Sequence, residues 1–399
     1  MFRRGHNLRM RARWLASTTS MWNRGILVVT LAASLIAASL IGARGADPKK
    51  SEASDTLFRE AVVRTLQIEV SPASFAALKE GNRAYVRATV REGDVTWRDV
   101  GIRLKGHVTF LPIDRKPSLT LKFNEFVSGQ EFHGLSKVML NNCAQDASYL
   151  REPLAAQLFH DAGLPAPRAM HARVQLNGRE LGFYVLVEGL NKSFLKHAFK
   201  DAGGNLYEGE AKDIDERLNQ ENGDDLSQKD LKTLAEAARA PATARMQKFR
   251  ALLDVDEFAT FVAMEMLTAS IDGYTFQKNN YRVYHHPKTD HLVFLPHGLD
   301  ATFGSAGFQP PQNSLLVKSL WELPEFQKQY RARLGELATK VWNVTVLTNR
   351  VSAMTAKLIA AAPDRAVARQ IDDESKKLGY RIAQQQQLLM TELKRGAGK

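Results

Sequence analysis

Residues 271–304 read IDGYTFQKNNYRVYHHPKTDHLVFLPHGLDATFG, and this stretch decides how the chain is understood. An acid, Asp272, stands near its start, followed by two adjacent amides, Asn279 and Asn280. Two short alternating segments then flank a turn, and a second acid, Asp300, follows. Tyr281 and Val283 alternate with Arg282 and Tyr284, and Leu292 and Phe294 alternate with Val293 and Leu295. That period of two predicts strands, half or fully buried. Antiparallel strands fold back on a short turn, so the hairpin is expected to bring the two acids close although 28 residues separate them.

Upstream of the hairpin the pattern is β-rich. Residues 66–70 read as a strand, and 72–80 as a short helix closed by Gly81. Residues 85–90 alternate, Glu92-Gly93-Asp94 makes a turn, and 95–105 resume the alternation, which predicts a β-meander. In 118–123 Leu119, Leu121 and Phe123 share one face, with Thr120 and Lys122 on the other. Residues 137–140 add another strand. Leu150, Leu154 and Leu158 then recur at helical spacing, with Ser148 as cap, Pro153 in the first turn, and Gly163 and Pro165 at the end. Asn177-Gly178 between two alternating segments is a strong hairpin signal.

The remainder is mostly helical. Residues 208–230 are acidic and polar and read as an exposed loop. Asp254 to Glu257 opens an apolar helix running to Leu267, with the spacing of a capping box. Residues 313–395 are almost entirely helical, and Gln384 to Gln387 are expected on a helix surface. Strands first and helices later predict an α+β chain of two lobes with a cleft between them. The expected boundaries are a linker at 47–65, a β-rich N-lobe at 66–207, and a helical C-lobe at 208–399 carrying the 272–304 hairpin.

The formal charge of +12 is misleading as a whole-chain figure. Seven arginines and no acid lie in residues 1–46, and without them 48 basic residues face 43 acidic ones. That balance argues against nucleic acid as a partner. Arg24, the apolar run 26–41 and the small residues after it describe a secretory signal, with Met21 as an alternative start. The competing reading is an uncleaved anchor, through which alone the chain would meet a membrane; either way the body is expected outside the cytoplasm. Cys143 is the only cysteine, which excludes an intrachain disulfide.

Segment by segment, the chain resembles the CotH family, the spore coat protein H-like secreted kinases. The resemblance runs over roughly 66–320. It rests on Val100-Gly-Ile-Arg-Leu-Lys-Gly106, Lys116-Pro-Ser-Leu-Thr-Leu-Lys-Phe123, Phe132-His-Gly-Leu135 and Leu140-Asn-Asn142. Leu176-Asn-Gly178, Tyr184-Val-Leu-Val-Glu188, Gly204-Asn-Leu-Tyr207, Asn279-Asn-Tyr281 and Leu299-Asp-Ala-Thr-Phe-Gly304 complete it. It implies an atypical protein-kinase-like fold and transfer of the ATP γ-phosphate, with Mg or Mn, to serine or threonine of a protein substrate.

Phosphoryl transfer asks a protein for positioning and charge neutralisation, and protein kinases place an orienting aspartate, a metal-binding asparagine, a hairpin and a metal-binding aspartate in this same order. On that pattern Asp272 is the base or orienter of the acceptor hydroxyl, Asp300 a metal ligand, and Asn280 or Asn279 the second ligand. Lys122 is expected on the phosphates with Arg103 and Lys105 nearby, Glu152 as the lysine's ion-pair partner, and Glu188 beside the base. The pattern departs at several points. No His-Arg precedes Asp272, no glycine-rich loop precedes Lys122, and Gly298 stands where relatives commonly carry an acid. Two rival readings follow: a catalytically silent kinase-like module serving surface recognition, and a metal hydrolase using His285, His286, His291 and His297.

Overall fold

The structure, a computed structural model, describes residues 48–397 apart from Asn82 and Val108, so the segment expected to be a signal or anchor lies outside the described residues. The chain is α+β. Seven strands close a barrel in the order β1-β2-β3-β4-β5-β7-β6. They are β1 (Arg64–Val70), β2 (Val86–Glu92), β3 (Val95–Lys105), β4 (Ser118–Lys122), β5 (Lys137–Asn141), β6 (Ala169–Leu176) and β7 (Arg179–Glu188). The meander expected from the sequence is therefore extended into a barrel by a parallel pairing, Arg64↔Ala172 to Ile68↔Leu176. Closure removes both sheet edges. Alternation then sorts the side chains: Leu66, Ile68, Val100, Ile102, Leu104, Leu119, Leu121, Val138, Leu140 and Leu186 fill the interior and share one core.

The segment expected as a linker is instead helix α1 (Pro48–Glu60). Leu57 is buried in the barrel core and Asp55 pairs with Arg168 at 2.6 Å, which together give the helix a docking face. Helix α2 (Pro72–Lys79) starts on the Ser71 cap, and α3 (Arg151–Asp161) carries Glu152 and Pro153 in its first turn.

A four-stranded sheet follows, in the order β11-β10-β8-β9. It comprises β8 (Leu206–Gly209), β9 (Asn219–Asn222), β10 (Tyr281–His286) and β11 (His291–Pro296). The predicted hairpin pairs Tyr281↔Pro296 through His286↔His291. Residues 208–230, read as a loop, supply part of this sheet, and Asp213, Asn222 and Gln228 within them are buried. Their polarity is satisfied internally: Asp213 accepts from Tyr274 Oη at 2.9 Å and from the Leu315 N–H at 2.7 Å.

Helices α4 (Lys192–Phe199), α5 (Lys229–Arg239), α6 (Ala242–Arg250), α7 (Val255–Leu267) and the one-turn α8 (Tyr274–Gln277) surround this sheet or lead to it. Four more follow: α9 (Leu315–Trp321), α10 (Pro324–Lys340), α11 (Val344–Ala360) and α12 (Arg365–Ala397). Asp254 caps α7 by accepting the N–H groups of Asp256 and Glu257, each at 2.9 Å. From Phe258 on, every residue of α7 is buried, as a helix apolar on all sides requires. Phe258 packs on Phe294 with ring centroids 5.0 Å apart, tying α7 to the hairpin.

Candidate active site

Barrel closure decides which β3 side chains are available. Val100, Ile102 and Leu104 turn inward, so Gly101, Arg103 and Lys105 turn outward. On the same outer face, at the end of β5, stands Asn141. Lys105 Nζ donates to Asn141 Oδ1 at 2.5 Å, and Asn141 Nδ2 donates to Glu152 Oε2 at 2.6 Å. The lysine and the glutamate are thus joined through an amide instead of a direct ion pair.

Asp300 shares this field. Burial pushes the Glu152 carboxyl up to about 7, Asp300 adds to the rise, and Asn141 and Lys105 oppose it. Burial likewise raises Asp300, against the pull of Lys105. Burial lowers Lys105, while Glu152 and Asp300 favour its charged form. One ammonium therefore stands between two carboxylates that would repel each other in its absence.

The hairpin brings Asp272 and Asn280 together, and Asp272 is near enough to Asp300 to add to the rise of its carboxyl. Asp272, Asn280, Gly298, Leu299 and Thr302 line one pocket with Glu265. Asn280 Nδ2 donates to the Gly298 carbonyl at 3.1 Å and lies 3.5 Å from Asp272 Oδ2. Of the two adjacent amides, Asn280 lines this pocket and Asn279 does not. Gly298 has φ +56°, and a Cβ there would lie 2.8 Å from the Asn280 amide.

Three residues expected at the site have other partners. Lys122 shares the outer face but sits opposite Gly101, at the far end of β4 from Ser118, which faces Lys105. Four residues of strand put it about 13 Å away along β4. Its Nζ pairs with Glu125 at 2.6 Å, so the expected ion pair to Glu152 is not formed. Arg103 lies over the Tyr85 ring at 4.9 Å. Glu188 is buried and receives Arg168 through Nε at 2.8 Å and Nη2 at 2.6 Å, which makes it one end of a structural ion pair.

Asn141 and Glu265 escaped the sequence reading. A signal existed for each: Asn141 follows an apolar strand, and Glu265 is the only charged residue between Phe258 and Leu267. Of the histidines, His285 is bonded to Asp230 and Asp290, while His297 is held neutral, burial and the nearby Arg282 depressing its pKa well below the usual value. Among the described residues no group of three or more His, Cys, Asp or Glu is arranged to hold a metal. Mg²⁺ commonly takes only one or two carboxylates and completes its shell with water and substrate phosphates, so a site for it need not contain such a group.

A barrel lysine is linked to a buried helix glutamate through an amide, and one aspartate and one asparagine of the hairpin region share a pocket. The family model described as CotH kinase protein matches residues 102–385, and the chain belongs to that family. Inner spore coat protein H of Bacillus subtilis is 23% identical over 261 residues, covering 57% of this chain and 69% of its own length. Invasin CotH3 of Rhizopus delemar is 24% identical over 272 residues, 58% of this chain and 45% of the invasin, so the chain spans less than half of that relative. Among solved structures, the Helicobacter pylori proinflammatory kinase CtkA is 9% identical, with 67% of this chain and 94% of that chain covered at a TM-score of 0.30. The Shewanella oneidensis HipA–HipB–operator DNA complex is 14% identical, with 72% and 68% covered at a TM-score of 0.31. No described helix is long and apolar enough to cross a membrane.

Proposed function

We propose that the chain is a two-lobed protein kinase that works outside the cytoplasm and transfers the ATP γ-phosphate to serine or threonine hydroxyls of a protein. The observation that carries this reading is the Lys105–Asn141–Glu152 relay coupled electrostatically to Asp300, which is coupled in turn to Asp272 of the Asn280 pocket. In it Lys105, not Lys122, binds phosphate oxygens. Glu152 holds Lys105 through Asn141, and Asp300 and Asn280 hold the metal. Asp272 accepts the hydroxyl proton or orients the hydroxyl for attack. Bound Mg or Mn would neutralise charge on the phosphates. Support for the extracytoplasmic setting comes from the export-like first residues and from relatives named as a spore coat protein and an invasin.

The test is phosphate transfer from labelled ATP to the chain itself or to casein, with Mg or Mn, beside Asp300→Ala. Transfer that vanishes in the variant supports the kinase. The second reading, a silent module for surface recognition, is favoured by Gly298. It predicts no transfer with either metal.

A further inference from the structure

Within the apolar wall of α7 one carboxylate is fully buried: Glu265 is 1% exposed. Such a group costs several kcal/mol unless its oxygens are bonded, and here each oxygen accepts a backbone N–H. Tyr274 donates to Oε1 at 2.9 Å and Thr275 to Oε2 at 2.8 Å. These are the first two N–H groups of α8, immediately after Asp272-Gly273. A Cβ on Gly273 would lie 2.1 Å from Oε1, so the carboxylate abuts the loop backbone and would have to shift for any larger residue at 273. Short local bonds close the rest of the loop: the Ser270 N–H donates to the Glu265 carbonyl at 2.8 Å, and the Gly273 N–H to the Ser270 carbonyl at 2.9 Å. The same helix end also holds the Asp300 segment, because the Phe303 N–H donates to the Thr268 carbonyl at 2.6 Å.

We propose that Glu265 is a positioning residue whose two backbone bonds fix where the Asp272 carboxylate stands relative to Asn280 and Asp300. It touches no reacting group. It acts through the 270–275 backbone, and a displacement of about 1 Å in such a group costs on the order of 100-fold in rate. The catalytic consequence rests on the kinase reading above; the consequence for the loop does not. Burial pushes the Glu265 carboxyl up to about 7, against the two N–H donors, in keeping with an acid held where it is because the loop requires it.

The experiment uses the full chain with Glu265→Gln and Glu265→Ala, read by amide hydrogen exchange, urea unfolding, and kcat and KM for ATP. Gln keeps the volume but presents an NH₂ to one of the two donors, so one bond is lost. In Glu265→Gln, exchange of the 270–276 amides is expected to quicken at least tenfold while β10, β11 and the barrel are unchanged. The kcat is expected to fall 10- to 100-fold with KM for ATP within twofold, and Glu265→Ala to fall further. A kcat equal to wild type in both variants overturns the proposal, as does faster exchange spread evenly over α7 and the hairpin. If the wild-type chain transfers no phosphate, the kinase reading fails, and exchange alone decides: unchanged protection at 272–276 overturns the lock.

Discussion

Replacing Lys105 by methionine separates the two lysines on the barrel's outer face. The substitution keeps the length and removes the charge. In the wild type the Lys105 ammonium makes a 2.5 Å bond to Asn141 and opposes the rise in Glu152. A charge-assisted bond of this kind contributes about 1.5–3 kcal/mol, and removing one member of a buried charge set costs about 3–5 kcal/mol when the others stay ionised. Here Glu152 can take a proton, having been pushed up to about 7, so the loss depends on pH. Acids whose folded pKa is raised contribute stability below their unfolded pKa and lose it as pH climbs through the folded value. Without Lys105 both carboxyls rise further, so the deficit should widen with pH, from about 2 kcal/mol at pH 6 to about 3–4 kcal/mol at pH 8. Urea unfolding at the two pH values measures this, and kcat is expected to drop about 100- to 1000-fold as a stabilising charge is lost. Lys122→Met is the control. Its pair with Glu125 is 39% and 25% exposed on the two side chains, and such pairs contribute about 0.2–1 kcal/mol. If Lys122→Met abolishes transfer while Lys105→Met retains it, the assignment of Lys105 is wrong.

Other outcomes follow from the same geometry. Asp300→Asn should abolish Mg- or Mn-dependent ATP binding measured by calorimetry. Asp272→Asn should leave binding within about threefold while transfer falls roughly 100- to 10,000-fold, the range for loss of a general base. Arg168→Ala strands the buried Glu188 carboxylate and should cost about 3–5 kcal/mol in urea unfolding with ATP affinity unchanged; a lost affinity with intact stability would return Glu188 to the nucleotide site. Gly298→Asp places a Cβ against the Asn280 amide at a left-handed φ, and should lower both stability, by about 1 kcal/mol, and transfer. Increased transfer in that variant would mean that an acid at 298 supplies a ligand that Asp300 and Asn280 alone do not.

The sequence made the hairpin legible because its period of two is local and its two acids stand at the strand ends, where a turn must bring them together. The same logic located Glu152 on its helix and the strands that form the barrel. Which barrel lysine reaches Glu152 is not a local matter. Lys105 and Lys122 are both outward residues on neighbouring strands, and only the register Lys105↔Ser118, Gly101↔Lys122 tells which end of the face meets α3. That register is set by pairing across the turn region 106–117, which composition does not fix. The polar segment 208–230 was misread because polarity signals exposure, whereas its carboxylates and amides are bonded to buried tyrosines and backbone. Gln385 shows the same thing: it lies in a tetraglutamine expected at a surface, yet it is buried and its Nε2 reaches the Ala306 carbonyl at 3.4 Å.

The precision of the site therefore comes from two separately packed cores. The barrel core fixes the facing of β3: a one-residue slip would put Leu104 outward and Lys105 into the apolar interior, where an ammonium costs several kcal/mol. The helical core fixes the two acid-bearing segments, because α7 is buried from Phe258 on and holds both from its C-terminal end. Neither core needs the charged residues for its own packing. The ammonium, the amide and the carboxylate of Lys105, Asn141 and Glu152 are held by hydrogen bonds to one another. Substitutions at Lys105, Glu265 and Asp300 are therefore expected to change rate and stability together, with the apolar cores still formed.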